Sequence, residues 1–192
     1  MKKRVAIFSG SFNPIHIGHL VLANYVCEAD LIDELWFMVT PQNPLKETQE
    51  LADDLLRLEM VKCAIHGYPK FKLCDLEFKL PRPSYTINTL QELERNYPDY
   101  EFSLLIGADN WNKFDQWKDS KLILEHFNLI IYPRMNFEVL PHSLPEKVKL
   151  IHSPIIEISA TELREKIKAG KDYRYFLHPT VHKFIQEHKL YS

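Results

Sequence analysis

Two histidines stand three residues apart near the start of the chain, in the run Ser9-Gly10-Ser11-Phe12-Asn13-Pro14-Ile15-His16-Ile17-Gly18-His19-Leu20. An apolar segment with the character of a buried strand, Val5 to Phe8, precedes this run, and a helical pattern follows it. Residues three apart share one face in the first helical turn, so His16 and His19 can donate hydrogen bonds to one ligand. Free N–H groups and the helix dipole favour an anion there, and Gly18 leaves room for a nucleotide. The turn therefore predicts phosphate binding.

A second candidate anion site lies in the run Ile158-Ser159-Ala160-Thr161-Glu162-Leu163-Arg164. Ser159 and Glu162 have the S-x-x-E spacing of a capping box, which accounts for both residues without a ligand. The capping box does not account for Arg164. A hydroxyl, the unpaired N–H groups of a helix start and an arginine fork together favour phosphate.

The remaining apolar runs indicate a sheet with both faces covered. Continuous apolar segments lie at 5–8, 35–39, 104–106 and 129–131, and helical patterns lie at 20–29, 51–66 and 86–97. This alternation predicts an α/β fold with a doubly wound parallel sheet, whose ligands bind outside the carboxyl ends of the strands. Two short helices are expected at 159–168 and 179–188, with Gly170 ending the first. We expect one domain over 1–192, with 159–192 as a helical C-terminal subregion.

The composition excludes several classes of protein. The formal net charge of the 192 residues is −2, so the chain lacks the positive field expected of a nucleic-acid binder. The apolar run after Met1-Lys2-Lys3-Arg4 is too short for a signal peptide or a membrane span. Three scattered cysteines, Cys27, Cys63 and Cys74, are typical of reduced thiols in a cytoplasmic protein. We predict no protein-bound metal, because the pairs Cys63/His66 and His178/His182 have no third ligand nearby in the sequence.

The motifs resemble those of the HxGH nucleotidyltransferase superfamily, in particular the bacterial nicotinate-nucleotide adenylyltransferases. The resemblance begins at the string GSFNPIHIGHL and continues through four further segments in the same order. These segments are Pro41 to Lys46, Ser84 to Leu90, Gly107 to Trp117, and Ile158 to Arg164. The usual family pattern has Gly-Gly where this chain has Ser9-Gly10, and Asp where it has Asn13.

The resemblance implies a Rossmann-like enzyme that transfers the adenylyl group of ATP, with Mg²⁺, to nicotinate mononucleotide. The products are nicotinate adenine dinucleotide and pyrophosphate, formed in NAD biosynthesis. The substrate phosphate is already an anion, so positioning and charge stabilisation, rather than a general base, carry the chemistry.

The same resemblance assigns residues to roles. It implies catalytic roles for His16, His19, Lys46 and Arg164. It implies ATP and phosphate contacts for Ser9, Gly10, Ser11, Phe12, Gly18, Ser159 and Thr161. For the mononucleotide, it implies contacts with Tyr85, Thr86, Gly107, Asp109, Trp117 and Arg134.

Several alternatives stay open at this stage. The two histidines could be surface residues beside a turn, Ser84 or Thr86 could simply cap a helix, and Trp117 could be a core residue. A pantetheine-phosphate adenylyltransferase would share the first motif, and the literal HIGH at 16–19 also occurs in class I aminoacyl-tRNA synthetases. A regulatory module could bind ATP without turnover. No partner besides the two nucleotides is expected, and a homo-oligomer is open.

Overall fold

A parallel sheet forms the centre of the protein. The computed structural model describes residues 2–41 and 51–192. Within them the strands are β1 (Lys3–Gly10), β2 (Glu34–Val39), β3 (Phe71–Cys74), β4 (Tyr100–Gly107), β5 (Asn128–Tyr132) and β6 (Val148–Leu150). Their order is β3-β2-β1-β4-β5-β6, and all neighbours are parallel. The chain moves outward from β1 to β3 and then returns to the other side at β4. This topology confirms the predicted doubly wound sheet and puts its switch point between β1 and β4.

Helices cover both faces of the sheet. They are α1 (Ile17–Glu28), α2 (Asp54–Ile65), α3 (Thr86–Asn96), α4 (Ala108–Trp111), α5 (Ser120–His126), α6 (Ala160–Lys168) and α7 (Pro179–Glu187). Short 3-10 turns lie at Leu76–Lys79, Phe114–Gln116, Pro141–Ser143 and Arg174–Phe176. None of the helices in the described ranges is long and apolar enough to cross a membrane.

The core has two layers because neighbouring side chains of a strand point to opposite faces. On β1, Ala6 and Phe8 belong to the layer that contains the buried residues of α1, α2, α6 and α7. Val5 and Ile7 belong to the other layer, with buried residues of α3 and α5. A strand buried on both faces needs apolar residues at every position, which is why β1 and β2 have continuous apolar segments.

Three details differ from the sequence-based expectations. The edge strands β3 and β6 were not predicted. The first helix extends the helical pattern at 20–29 back to Ile17, with His16 at its N-cap position, so the two histidines lie at its first turn as expected. Helix α2 begins at Asp54 rather than at residue 51, and its buried stripe contains Arg57 and Met60, whereas the apolar Leu56 and Cys63 are only partly buried.

The C-terminal helices pack against the same core layer as α1 and α2. Leu163 of α6 and Val181 and Ile185 of α7 are buried in that layer. As predicted, Gly170 follows the first of the two helices; it has a φ of +71° and its N–H donates to the carbonyl of Ile167 at 2.9 Å. A single domain over residues 1–192 stays a prediction. It is supported by the core layer that α6 and α7 share with α1 and α2.

We expect Ile185→Ala to lower the free energy of unfolding by roughly 2–5 kcal/mol, because it leaves a cavity between α7 and the core. Ile185 is 3% exposed, whereas Leu55 on α2 is 63% exposed, so Leu55→Ala is the matched control and should change stability by less than about 0.5 kcal/mol. Urea denaturation followed by circular dichroism measures both. Two separate unfolding transitions in the wild-type protein would contradict a single domain.

Candidate active site

A cavity of about 960 Å³ opens at the carboxyl ends of the strands beside the switch point. The loop after β1, the start of α1, the ends of β4 and β5 and the start of α6 form its walls. It is lined by Phe8, Ser9, Gly10, Ser11, Phe12, Asn13, His16, His19, Leu51, Asp109, Asn110, Tyr132, Arg134, Glu157, Ile158, Ser159, Ala160, Thr161, Glu162 and Arg164. The structure therefore brings together two motifs that lie more than a hundred residues apart in the sequence.

His16 and His19 lie against each other at this cavity. Their rings are stacked, with 3.6 Å between centroids and 21° between planes. The backbone N–H of His16 donates to Nδ1 of His19 at 3.2 Å, which caps the first turn of α1. Because Nδ1 accepts this bond, the neutral His19 ring carries its proton on Nε2. His19 can therefore donate from Nε2 while its other nitrogen holds the turn.

His16 is held in its neutral form. Its side chain is 6% exposed, and burial, with a smaller contribution from the positive charge of Arg134, lowers its pKa to about 4. Its buried Nδ1 has no hydrogen-bond partner among the described residues. A buried polar atom without a partner costs free energy and is a candidate ligand contact. At neutral pH this ring acts through a hydrogen bond rather than through a charge.

Two glycines leave room for rings at this turn. A Cβ on Gly18 would lie 3.2 Å from Nδ1 of His16, and one on Gly10 would lie 3.2 Å from the ring of Phe12. The Phe12 ring packs edge-on against His19, with 5.1 Å between centroids. Gly18 was predicted to leave space for a nucleotide, and the structure adds that it leaves space for His16. Gly18 itself lies beside a smaller pocket that adjoins the main cavity.

The start of α6 forms the opposite wall. The Ser159 hydroxyl accepts a hydrogen bond from the N–H of Glu162 at 3.3 Å, as the capping pattern predicts. Arg164 donates to the carbonyl of Asn13 at 2.9 Å and to the Thr161 hydroxyl at 3.4 Å. Arg164 thus joins the two predicted phosphate motifs directly.

The expected mononucleotide residues fall into two groups. Asp109 and Arg134 line the cavity and form an ion pair with 3.6 Å between Nε and Oδ1. A Cβ at Gly107 would lie 2.3 Å from Oδ1 of Asp109 and 3.1 Å from the Tyr132 ring, so a larger residue there would displace the Asp109 carboxylate.

Tyr85, Thr86 and Trp117 do not line the described cavity. Thr86 begins α3, and the ammonium of Lys118 lies 4.6 Å from the centre of the Tyr85 ring. Trp117 packs on Phe114 and has a buried indole N–H without a hydrogen-bond partner in the described part of the chain. Lys46 lies outside the described residues.

One residue that supports the site was not singled out from the sequence. Arg57 of α2 is fully buried, and its guanidinium donates to the carbonyls of Ser11 at 2.7 Å and Thr40 at 2.9 Å. It also donates to the carbonyls of Pro41 and Ala52 and pairs with Asp54. The sequence does contain one indication that Arg57 is buried. It lies at helical spacing from the apolar residues Met60, Val61 and Ala64, which form the buried face of α2.

The described residues contain no group of three or more histidine, cysteine or acidic side chains placed to hold a metal ion. The ring nitrogen Nδ1 of His178, part of a pair considered above, lies 2.7 Å from the Thr180 hydroxyl at the start of α7. The three cysteines are free thiols.

We expect the His16 imidazole to stay neutral above about pH 5, because its folded-state pKa is about 4. The unfolded ring binds a proton below about pH 6.5, so acidification from 6.5 to 4 removes up to about 3 kcal/mol of stability, and this contribution is constant above pH 6.5. NMR titration of ¹⁵N-labelled histidines measures the pKa directly. Urea denaturation at each pH, compared with His16→Asn, isolates the stability contribution. A His16 resonance that titrates near pH 6.5 would contradict the assignment.

Comparisons with known proteins agree with this geometry. The family model described as cytidylyltransferase-like matches residues 7–166. A probable nicotinate-nucleotide adenylyltransferase of Bacteroides fragilis is 55% identical over 96% of this chain and 92% of its own length. A probable nicotinate-nucleotide adenylyltransferase of Porphyromonas gingivalis is 51% identical over 89% of this chain and 87% of its own length.

Among solved structures, the nicotinic acid mononucleotide adenylyltransferase of Plasmodium falciparum, complexed with NaAD, is similar. It is 25% identical with a TM-score of 0.82, and the match covers 98% of this chain and 97% of that one. The chain belongs to the cytidylyltransferase-like family and, by its similarity to these relatives, to the nicotinate-nucleotide adenylyltransferases.

Proposed function

We propose that this protein transfers the adenylyl group of ATP to nicotinate mononucleotide, forming nicotinate adenine dinucleotide and pyrophosphate in NAD biosynthesis. The observation that carries the proposal is the single cavity in which His16, His19, Ser159, Thr161 and Arg164 meet. Relatives that span nearly the whole chain bear the same name. The cavity volume falls within the range of pockets that enclose organic ligands.

The ATP phosphates are held between the two walls of the cavity. His16 and His19 donate hydrogen bonds to the transferring phosphate, while the start of α6, with Ser159, Thr161 and Arg164, binds the β- and γ-phosphates. The loop from Ser9 to Phe12 supports the nucleotide from the β1 side. The family resemblance adds Lys46 as a further cation on the triphosphate. Mg²⁺ accompanies ATP and is held by phosphate oxygens and water.

The transfer is an in-line displacement. An oxygen of the mononucleotide 5′-phosphate forms a bond to the α-phosphorus, and the bond from that phosphorus to the bridging oxygen of the β-phosphate breaks. The electron pair leaves with pyrophosphate, so no proton has to be removed from the nucleophile. The protein supplies alignment and stabilises charge on the equatorial and leaving oxygens. A neutral His16 suits this role, since a donor is needed and a base is not.

The acceptor nucleotide lies on the side of Asp109 and Arg134. The proposal assigns Tyr85, Thr86, Gly107 and Trp117 to the nicotinate part, with the N–H groups at the start of α3 facing its carboxylate. The Trp117 indole N–H without a described partner supports a polar ligand nearby. A cytoplasmic location stays a prediction.

We expect His19→Ala to lower turnover by about a hundredfold, the usual effect of losing one preorganised donor at a transition state. Because His19 also caps α1, His19→Asn, which can still accept a hydrogen bond at the turn, separates the two roles and should be comparably impaired. Pyrophosphate release measures both variants, with the exposed His142→Ala as control. Near wild-type turnover in His19→Ala would rule out this role.

We expect a higher kcat/KM with nicotinate mononucleotide than with nicotinamide mononucleotide, because only the former offers a carboxylate to the helix start. Purified protein, ATP and Mg²⁺ are mixed with each nucleotide, and with phosphopantetheine, while pyrophosphate is followed. Equal specificity constants for the two mononucleotides would refute the carboxylate assignment. The proposed function would be refuted if phosphopantetheine were the one acceptor that gave activity, or if the protein bound ATP but released no pyrophosphate with any acceptor.

A further inference from the structure

Tyr191 reaches the loop of the HxGH motif from the segment after α7. Its hydroxyl donates to Oδ1 of Asn13 at 2.7 Å, across 178 residues of sequence. Asn13 is 2% exposed and lies three residues before His16. Tyr191 is partly buried, and a hydroxyl that points at the base of a catalytic loop is not explained by core packing alone.

Asn13 connects several segments at this point. Its Oδ1 also accepts from the N–H of Ala52, just before α2, at 3.2 Å, and its carbonyl accepts from Arg164 at 2.9 Å. The loop after β1, the start of α2, α6 and the segment after α7 therefore meet at one residue, two of them through the Asn13 side chain and α6 through its backbone carbonyl. Movement of Asn13 would change the distance between the two phosphate-binding motifs.

The backbone around Tyr191 supports a specific role for its side chain. Lys189 and Tyr191 both have left-handed φ values, +49° and +62°. L-residues adopt this conformation at a cost, and it persists only where surrounding contacts impose it. The Tyr191 ring packs against the core layer of α1 and α2, and burial raises the pKa of its hydroxyl. The hydroxyl therefore stays protonated and donates at neutral pH.

We propose that Tyr191 is a positioning residue for adenylyl transfer, because its hydrogen bond to Asn13 fixes the loop that carries His16 and His19 relative to Arg164. The proposal rests on the function proposed above. It assigns Asn13, at the position where the family usually has aspartate, the role of a neutral acceptor that joins these segments. A small misplacement of phosphate-binding groups lowers the rate of transfer more than it lowers binding.

The test compares Tyr191→Phe with Tyr175→Phe. Tyr191→Phe keeps the packed ring and removes only the hydroxyl, so it should fold, and Tyr175 is 91% exposed, so its variant is the control. We expect Tyr191→Phe to lower kcat roughly three- to tenfold, the loss expected for one buried hydrogen bond, with little change in KM for the mononucleotide. Hydrogen exchange in peptides covering 9–20 should become faster in Tyr191→Phe and stay unchanged in Tyr175→Phe.

A lower melting temperature for Tyr191→Phe with unchanged kcat and unchanged exchange in the loop would overturn the proposal, because it indicates a structural role only. In a double-mutant cycle with Asn13→Ala, the two kcat effects should be clearly less than additive, and additivity would also overturn it. Absence of pyrophosphate release from the wild-type protein would reject the proposed function instead. The exchange experiment needs no turnover, so it tests the hydrogen bond in either case.

Discussion

The buried guanidinium of Arg57 is the constraint on which the site depends. Where parallel strands end, their loops leave carbonyl groups without partners, and burying those groups unpaired is costly. Arg57 donates hydrogen bonds to the carbonyls of Ser11, Thr40 and Pro41, which lie just after β1 and β2. Arg57 thereby links the loops that follow β1 and β2. Because it bonds only to their carbonyls, it uses none of the N–H groups of these loops that an anion would need. A buried charge is tolerated only when its hydrogen bonds are satisfied, so the loops and Arg57 stabilise each other.

Neutral imidazoles and positively charged side chains line the cavity from different elements of the fold. His16 is neutral because it is buried, and His19 has its proton on the nitrogen that does not cap α1. Positive charge comes from Arg164 on α6 and from Arg134 after β5, and Arg134 itself helps to lower the pKa of His16. The structure thus combines neutral donors at the turn with cations on the walls. Under the proposed function, both kinds of group would bind the triphosphate at once.

Much of this arrangement could be predicted from local sequence. Continuous apolar runs indicate β1, β2, β4 and β5 because these strands are covered on both faces, whereas β3 and β6 are short edge strands with exposed Lys72 and Lys149 that interrupt the pattern. The phosphate motifs were recognisable because each depends on residues close together in sequence. The roles of Arg57 and Tyr191 were not, since each depends on carbonyls or side chains brought near only by the fold. Lys46 lies outside the described residues, and its position stays a prediction.

Under the proposed function, Asn13 would also affect how ATP approaches the protein. An aspartate at this position would place a negative charge next to the cavity that receives a triphosphate, and like charges separated by a few ångströms at low dielectric repel strongly. The amide makes its hydrogen bonds with no such charge. In a chain whose net charge is already −2, one carboxylate fewer beside the cavity would favour faster association of an anionic ligand, and this advantage should shrink as ionic strength rises.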